Sequence, residues 1–527
     1  MGRRAALGVF GAGAIVVTAL VVSLLTDPEV TASPDLDACR VTNLVVPATT
    51  WSAADWTAAE NRRRGTTDWR LHRSWRAYGA IAGFLDQVSI DPGGRVTLFV
   101  NTRQRWRWSA YRLGYYGGTG GRLYASSCWN PASHQPRPIT SRATRTVSAP
   151  WQPALSFRAS WPPGLYLLKL VDSEGRESYV PLVVRSPSVL GRTVFMLSAM
   201  TLQAYNRWGG RSLYMGPDLK ARSRASADSF DRPYDDHLVH QMFAFDQPLV
   251  AEAERLGLPF AYLTDIDVAA QPGVLAGART LMTDGHAEYW TLGERSAVLQ
   301  ARSRGTNLVF FGANQLWWQV RLGNTSLGHH RLVICYKDAW DPLAGTRPRL
   351  RTTHFRSLAH PLPESAVIGV QYSGLGADAP FRVYRPKFFA FAGTGAREGS
   401  AYPGLVGQEI DTVNPGAYSP ATLEIVGRSP ASCRGSRCLS EATYYTVPSG
   451  AAVWAAGTDG WVNALGSDIF KMGVTPATRA FVRKVTDNLL LTFARGPAGR
   501  SHPARPNVAT ADGPPVPSRP GLDGDVD

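Results

Sequence analysis

The chain has 527 residues, of which 44% are hydrophobic, and it carries 56 Lys and Arg against 41 Asp and Glu. A chain of this length exceeds what one hydrophobic core usually serves, so two or three domains are expected. The net charge of +15 comes from scattered arginines rather than from a dense run. Together with the export segment described next, it argues against a nucleic-acid partner.

The first 32 residues have the features of an export segment. Arg3 and Arg4 precede an uncharged stretch, residues 5–25, that is long enough to cross a bilayer as a helix. Arginines at its start place the N-terminus in the cytoplasm, and a small-residue cleavage site ends at Ala32. We therefore expect residues 1–32 to be a membrane anchor or a signal segment. The body would be extracytoplasmic, held to the cell membrane by this N-terminal helix or secreted after cleavage.

The next part of the chain changes from a helical to a strand pattern. Residues 33–87 are rich in Trp and Arg and are expected to be helical, with a basic face suited to anionic lipid or cell-wall polymer. From residue 88 the apolar residues recur with a period of two, and turns such as the Pro-Gly-Gly of residues 92–94 separate short strands. This spacing predicts a β-sandwich over residues 88–190.

A second pattern begins at residue 191. Val194–Ser198 is a continuous apolar run of the kind that is buried on both faces in a parallel sheet. Helix-like and strand-like segments alternate after it, which predicts a mostly parallel α/β domain over residues 191–495, irregular beyond Trp340. The predicted fold class is therefore α/β plus all-β. Residues 496–527 are rich in Pro, Gly and Ala and are expected to be a disordered tail.

Five cysteines suit an exported protein. Cys433 and Cys438 bracket a short Arg-Gly-Ser-Arg loop, so we expect them to form a local disulfide. Cys39 with Cys128 is a second candidate pair. Cys335 is left over in a buried-strand pattern, where a small core residue is expected rather than a catalytic thiol, because apolar surroundings raise the pKa of a thiol.

The stretch Gly285–Glu288 lies at a predicted strand-to-helix corner, where ligands bind in open α/β sheets. His286 and Glu288 can each ligate a metal or move a proton. On the residues alone, a structural role stays equally open: His286 would cap a turn and Glu288 would support the start of a helix.

Two other stretches stand in order with this corner. Arg112–Gly121 closes a predicted strand, and Gln203–Tyr214 follows the first buried strand. The order and the residues of these three stretches resemble those of the large subunit of N,N-dimethylformamidase and of the wider group of proteins that share its C-terminal domain. Supporting stretches are, in chain order, Ser229–Tyr234, Thr264–Asp267, Gly407–Asp411 and Gly457–Trp461.

The resemblance implies a hydrolase of an amide or related C–N bond, with a mononuclear iron(III) ion held by two tyrosines and a glutamate. The family's Gly-His-Xaa-Glu corner assigns the glutamate to Glu288. The first tyrosine falls on Tyr205 and the second on Tyr214. Tyr234 is the fallback for the second ligand, because the sequence after Tyr214 departs from the family enzyme.

The resemblance also gives catalytic roles to His286, as general base or as a group that orients water, and to Glu409 as its partner. The residue types suit the chemistry, since carboxylates are hard oxygen donors and tyrosine phenolate is a known iron ligand. The reference pKa of a tyrosine hydroxyl is about 10, so a tyrosine loses its proton at neutral pH only when it binds a strongly Lewis-acidic metal. Such a metal polarises a carbonyl or activates water.

Competing interpretations come from the residues themselves. Tyrosines beyond strand ends often pack with their hydroxyls on a backbone partner, and the chain would then be a non-catalytic envelope protein that binds carbohydrate or cell-wall polymer.

The α/β region also resembles the class I glutamine amidotransferase fold, but Cys335 lacks the glycine-rich elbow of that activity. No Gly-Xaa-Ser-Xaa-Gly elbow occurs in this region. The partner would be a small-molecule amide or an envelope component, and the oligomeric state stays open.

Overall fold

The computed structural model describes residues 41–71, 79–283, 285–337 and 340–510. The predicted export segment, Cys39 and residues 511–527 lie outside the described residues. Within the described ranges no helix is both long and apolar enough to cross a membrane. The predicted membrane contact through an N-terminal helix is corrected by this finding. Even the longest described helix, Pro476–Phe493, is amphipathic and carries charged residues along its exposed side.

The first part of the described chain is mostly strand. Two short helices, α1 (Ala48–Ser52) and α2 (Trp56–Asn61), precede it. The strands are β1 (Thr42–Asn43), β2 (Ile81–Leu85), β3 (Ser89–Ile90), β4 (Arg95–Thr102), β5 (Trp106–Leu113), β6 (Gly121–Ser126), β7 (Ile139–Thr140), β8 (Val147–Ser148), β9 (Leu155–Arg158), β10 (Gly164–Asp172) and β11 (Glu177–Val184).

These strands build the predicted β-sandwich. One sheet has the strand order β1-β6-β5-β10-β11-β3 and the other the order β2-β4-β9, while β7 and β8 form a separate hairpin. Leu98 of β4 meets Leu168 and Leu170 of β10 in the core between the sheets. Leu165 and Leu167, on the opposite face of β10, belong to a core shared with the following α/β part. The strand is therefore buried on both faces, and the sandwich is docked through it.

The second part begins with alternating strands and helices and ends in long strands. Its strands are β12 (Thr193–Leu197), β13 (Ala227–Ser229), β14 (Phe260–Thr264), β15 (Thr280–Thr283), β16 (Tyr289–Thr291), β17 (Asn307–Phe310), β18 (Trp318–Thr325), β19 (Gly328–Ile334), β20 (Gln371–Arg382), β21 (Ala401–Thr412), β22 (Glu424–Cys433), β23 (Ser436–Thr446) and β24 (Ala452–Ala455). Its helices are α3 (Ala199–Tyr205), α4 (His237–Gln241), α5 (Gln247–Arg255), α6 (Asp265–Ala270), α7 (Leu292–Ser303), α8 (Ser365–Ile368), α9 (Gly460–Leu465) and α10 (Pro476–Phe493), with a π-helical turn at Met242–Asp246.

A nine-stranded sheet of order β14-β12-β15-β17-β24-β23-β22-β20-β21 forms the centre of this part. Its first five strands are parallel, and its last four are antiparallel. A four-stranded sheet of order β13-β19-β18-β16 lies beside it. The expected mostly parallel sheet is correct only for the first five strands. The resemblance to the glutamine amidotransferase fold stays a prediction.

The antiparallel half was missed for a physical reason. The strands β20 and β21 are paired with three register irregularities along their length, and each irregularity breaks the alternation of apolar and polar residues that marks a strand. The alternation of apolar and polar residues is therefore confined to short windows, such as residues 377–382, and does not extend along the whole of residues 371–412. The region that reads as irregular loops consists largely of two long hairpins.

Two further segments differ from expectation. Residues 81–85, expected to end a helical region, form strand β2 and pair with β4. Residues 496–510, expected to be disordered, pack on the body of the protein. His502 stacks on Phe389 with 4.3 Å between ring centroids, and the Asn507 side chain accepts a hydrogen bond from the Ile425 N–H at 2.7 Å. Composition alone does not reveal such contacts.

The local disulfide between Cys433 and Cys438 is confirmed, with 5.8 Å between their Cα atoms. It closes the tight turn between β22 and β23. Cys335 is a buried free thiol, and burial raises its pKa to about 12, which keeps it protonated and unreactive. The candidate pair of Cys39 and Cys128 is not tested, because Cys39 lies outside the described residues.

Candidate functional site

The carboxyl ends of two parallel strands bring the first candidate residues to one edge of the nine-stranded sheet. Strands β12 and β15 are direct neighbours, with Thr193 paired to Thr280. Helix α3 follows β12 and ends at Tyr205, and the corner that follows β15 carries Glu288. Parallel pairing thus makes neighbours of two residues that are 83 positions apart in sequence.

The oxygens of three side chains converge at this edge. The Tyr205 hydroxyl lies 3.0 Å from the Tyr214 hydroxyl and 2.8 Å from Oε2 of Glu288, while the Tyr214 hydroxyl lies 2.5 Å from Oε1 of Glu288. The two phenol rings stack with 4.4 Å between centroids. Glu288 is buried, and both tyrosines are partly exposed. The carboxylate therefore forms the floor of the site and the phenols its open side.

Without a cation, the phenols of this triad remain protonated. Burial, followed by the charge of Glu288, holds the pKa of Tyr205 and of Tyr214 well above the ordinary value of 10. Burial also raises the pKa of Glu288, against the opposing charges of His286 and Lys337. The triad thus combines a buried carboxylate with two half-buried phenols, and its negative charge needs compensation before the phenols can ionise.

The three oxygens fit a small, hard cation. A metal with oxygen ligands at about 2.0–2.1 Å and octahedral geometry places neighbouring ligands about 2.9 Å apart, close to the observed separations of 2.5, 2.8 and 3.0 Å. Phenolate and carboxylate are hard donors that suit a highly charged ion such as iron(III). Tyr205, Tyr214 and Glu288 are the residues that would hold it.

His286 and Glu409 lie next to this triad. Nε2 of His286 is 2.9 Å from Oε2 of Glu409 and 4.0 Å from Oε2 of Glu288. Burial alone would lower the pKa of His286, but the charge and hydrogen bond of Glu409 raise it to about 10. The imidazole is thus paired with a carboxylate and close to the oxygens of the triad, as a residue that moves protons at this site must be.

The corner that carries His286 and Glu288 has no room for a side chain at Gly285. A Cβ atom there would clash with the ring of Phe245. Phe245 belongs to the π-helical turn and faces His286 with 5.7 Å between ring centroids. The Ala287 N–H donates to Oε1 of Gln315 at 3.3 Å, and the Trp290 indole N–H donates to the Ala287 carbonyl at 2.7 Å. The backbone of the corner is fixed on several sides.

Tyr234, the fallback ligand, lies elsewhere. It is buried in the core cluster that includes Leu197 and Leu202. Among the described residues, no hydrogen bond or ring contact joins Tyr234 to Glu288. The structure therefore places Tyr214, rather than Tyr234, beside Tyr205 and Glu288.

Two aspartates of the site were not singled out from the sequence. Asp459 offers a carboxylate oxygen that, together with nitrogen of His286 and oxygen of Glu409, belongs to a group whose ligand atoms all lie within 4.8 Å of one another. Asp411 lies nearby. Burial raises the pKa of Asp411 to about 8 and that of Asp459 well above its usual range. The stretches Gly407–Asp411 and Gly457–Trp461, which carry part of the family resemblance, contain both residues and were the available signal.

Asp411 and Asp459 each accept a backbone hydrogen bond from the loop that follows β17. Oδ1 of Asp459 accepts the Ala313 N–H at 2.9 Å, and Oδ1 of Asp411 accepts the Asn314 N–H at 2.8 Å. Asn314 adopts a left-handed backbone conformation with φ of 51°. Two adjacent amides of the loop after β17 are thus each tied to one acidic residue of the site.

Lys337 was also missed. Its ammonium nitrogen lies 3.4 Å from the centroid of the Tyr214 ring and 4.5 Å from that of Trp318. This is a cation–π arrangement, and the positive charge acts to lower the pKa of Glu288. Lys337 follows strand β19 without a recognisable motif, so only the packing of the four-stranded sheet could reveal it.

Comparison with known proteins agrees with the motifs. Residues 107–474 match the model of a protein family described as N,N-dimethylformamidase beta subunit-like, C-terminal. A search of curated proteins finds no match to this chain. The matched region runs from strand β5 of the sandwich to the turn before α10, and it includes every residue of the site described above. Because it covers more than half of the sequence, the chain belongs to the N,N-dimethylformamidase beta subunit-like, C-terminal family.

Proposed function

We propose that the protein is a metal-dependent hydrolase of an amide or related C–N bond. The observation that carries this proposal is the convergence of three ionisable side chains: the hydroxyls of Tyr205 and Tyr214 lie 3.0 Å apart, and each lies 2.5–2.8 Å from one carboxylate oxygen of Glu288. Family membership supports the same conclusion. The proposed ion is a single iron(III), which when bound would polarise a carbonyl or lower the pKa of water.

The chain's own residues would supply positioning and proton transfer. Glu288 is fixed by its backbone, because the Glu288 N–H donates to the Thr201 hydroxyl at 3.1 Å. With its pKa raised to about 10, His286 would rest as the imidazolium, donate its proton to the departing amine and then regain one from water, and Glu409, at 2.9 Å, would orient the ring and stabilise its charged form. These roles are proposed from the position of His286 between Glu409 and the triad.

The surroundings of the site would strengthen these interactions. Phe245 packs against His286, and Phe470 packs behind Phe245 with 5.4 Å between their ring centroids. Tyr289 and Trp318, stacked at 6.4 Å, close the opposite side beside Tyr214. Packed aromatic rings limit the access of water to the buried Glu288 carboxylate, and a charge in such surroundings interacts more strongly than it does in solvent.

We also infer an extracytoplasmic location. The disulfide between Cys433 and Cys438 supports it, since disulfides persist in oxidising compartments and are rare in the cytosol. Labelling of thiols in whole cells with a membrane-impermeant reagent, after reduction, should reach these two cysteines. Labelling that needs lysis of the cells would contradict the inferred location.

Metal content and colour test the proposed function. Purified full-length protein loaded with iron(III) should bind one ion per chain and show the visible charge-transfer band of iron tyrosinate. Tyr205→Phe and Tyr214→Phe should each weaken this band, whereas Tyr234→Phe should leave it intact. A colourless protein that fails to retain iron would contradict the proposal and favour a non-catalytic protein that binds carbohydrate or cell-wall polymer.

A further inference from the structure

A basic surface adjoins the open side of the tyrosine pair. It is formed by residues 139–148, which contain the β7–β8 hairpin, and by residues 206–226, the segment that follows helix α3; we name these two segments the basic rim. The rim has one carboxylate, Asp218, against seven cationic residues. The cationic residues are Arg142, Arg145, Arg207, Arg211, Lys220, Arg222 and Arg224.

The two segments form one continuous surface. The Ser226 N–H donates to the Thr144 carbonyl at 2.8 Å, and the Thr146 hydroxyl donates to the Ala227 carbonyl at 2.8 Å. The Arg145 guanidinium reaches the Arg222 carbonyl at 2.7 Å. The sandwich thus contributes its hairpin to a surface whose other half belongs to the α/β part.

Most of the positive charge of the rim is not neutralised by the rim itself. The guanidinium groups of Arg145 and Arg211 donate to backbone carbonyls, which carry no formal charge. Arg222 is 3.7 Å from Asp218, and its side chain is 74% exposed. Asp235 and Asp236 follow nearby, and the carboxylate of Asp235 accepts the backbone N–H of Arg207. Leaving Arg224 out of the count, the six other cationic residues against all three acidic residues give the surface a formal charge of +3 (6 − 3).

The rim is directly coupled to the proposed metal ligands. Tyr205 immediately precedes the segment 206–226, and Tyr214 lies within it. The Leu213 N–H donates to the Ala204 carbonyl at 3.1 Å, and the Ser212 hydroxyl accepts the Tyr214 N–H at 3.1 Å. The two partly exposed tyrosines and the second segment of the basic rim are therefore held in one continuous stretch of backbone.

We propose that the substrate carries an anionic group, a carboxylate or phosphate, which the basic rim binds while its C–N bond lies at Tyr205, Tyr214 and Glu288. This rests on the proposed function, because it names the substrate class of the same site. Arginine presents a planar set of donors that matches carboxylate and phosphate. Exposed positive charge close to a binding site also raises the local concentration of anions and their rate of association.

A pair of probes of equal size tests the proposal. N-formyl-aspartate carries two negative charges, and the diamide of the same compound carries none. Binding of each to the iron-loaded full-length protein is measured by calorimetry at about 20 mM and about 300 mM salt. We expect the dianion to bind roughly ten-fold tighter at low salt, and this preference to shrink at high salt because exposed charges are screened. Equal affinity for the two probes at low salt would overturn the proposal.

Variants distinguish binding of the anion at the basic rim from attraction by the net positive charge of the whole protein. Arg207→Glu with Arg222→Glu should abolish the preference for the dianion. The matched control, Arg95→Glu with Arg158→Glu, reverses two exposed arginines on the three-stranded sheet and should retain it. Loss of the preference in the control alone would contradict a role for the rim. The salt dependence of the natural protein decides the matter if the rim variant does not fold.

The outcome is distinguishable from failure of the proposed function. A protein that binds no iron but prefers the dianion would lose the hydrolase assignment and keep an anion-binding rim. A protein that binds iron and shows no preference for the dianion would keep the metal site and lose the proposed substrate class. The same experiment with inorganic phosphate and with glutarate would show which of the two anionic groups the rim prefers.

Discussion

Glu288 and His286 are two residues apart in sequence but have different contacts. Glu288 contacts both phenols, whereas His286 contacts Glu409. Glu288→Gln should therefore lower iron affinity by ten-fold or more, roughly the least that loss of a supporting interaction costs a metal site. His286→Ala should retain iron and lose turnover of an amide substrate. Metal analysis after dialysis against a chelator measures the first effect; equal iron retention by Glu288→Gln and the natural protein would contradict it.

His354 should make stability depend on pH. Its ring lies 3.9 Å from that of Trp317 and 3.8 Å from that of Trp318. Burial, and then the charges of Arg356 and Lys337, lower the pKa of His354 to about 3, against about 6.5 in the unfolded chain. Because the folded pKa is depressed, the contribution is complete above pH ~6.5 and is lost as pH falls from about 6.5 towards 3.

The measurement is the midpoint of urea unfolding between pH 7 and pH 4. The natural protein should lose on the order of 2–4 kcal/mol from this group, and His354→Gln should lose less over the same interval. The exposed His329 offers a control, since His329→Gln should leave the pH dependence unchanged. An unchanged pH dependence in His354→Gln would show that the acid sensitivity arises elsewhere.

Individual residues of the site could be predicted to different extents. Tyr205, Tyr214, Glu288, His286 and Glu409 carry motifs, and the structure brings them together, although their chemical roles remain predictions. Lys337, by contrast, reaches the site through the packing of β18 and β19, which no local pattern records. Side chains supplied by distant segments without a motif are visible only after the fold is known.

At the level of elements, the corner after β15 depends on close packing. Gly285 faces Phe245 with no space for a Cβ atom, so Gly285→Ala must displace the ring or the corner. We expect a loss of about 1–3 kcal/mol in stability together with weaker iron binding. Phe245→Leu should partly rescue both. Gly345→Ala is the control, because nothing lies within 4 Å of a Cβ there. Normal iron binding by Gly285→Ala would refute a role for this contact.

The elements themselves were predictable where a single periodicity extends over the whole segment. Strand β12 is a continuous apolar run, and the capping box of Thr291 with Glu294 marks the start of α7. Strand β20 alternates only over residues 377–382, because its register shifts three times against β21. The antiparallel half of the large sheet is held by partners far along the chain, so its pairing is not encoded in any short window.

At the level of the whole molecule, a buried ion pair connects the sandwich to the α/β part. Arg112 of β5 donates through Nη1 to Oε2 of Glu254 at 3.1 Å and through Nη2 to Oε1 of the same carboxylate. Both side chains are fully buried, and the Tyr262 hydroxyl donates to Glu254 at 2.6 Å. The pair joins strand β5 of the sandwich to helix α5 of the α/β part.

Removing one partner should therefore be costly. Arg112→Leu leaves a buried carboxylate without its cation and should destabilise the protein by about 3–5 kcal/mol, whereas Arg112→Leu with Glu254→Leu should recover much of the loss. Chemical denaturation measures both. A double variant as unstable as the single one would show that packing, rather than uncompensated charge, dominates at this contact.

The central claim is that Tyr205, Tyr214 and Glu288 hold one metal ion. Anomalous diffraction at the iron edge, from crystals of the iron-loaded protein, tests it most directly. The account predicts a single strong peak about 2 Å from the two phenolate oxygens and from a carboxylate oxygen of Glu288. No peak at this position, or one located instead among His286, Glu409 and Asp459, would contradict it.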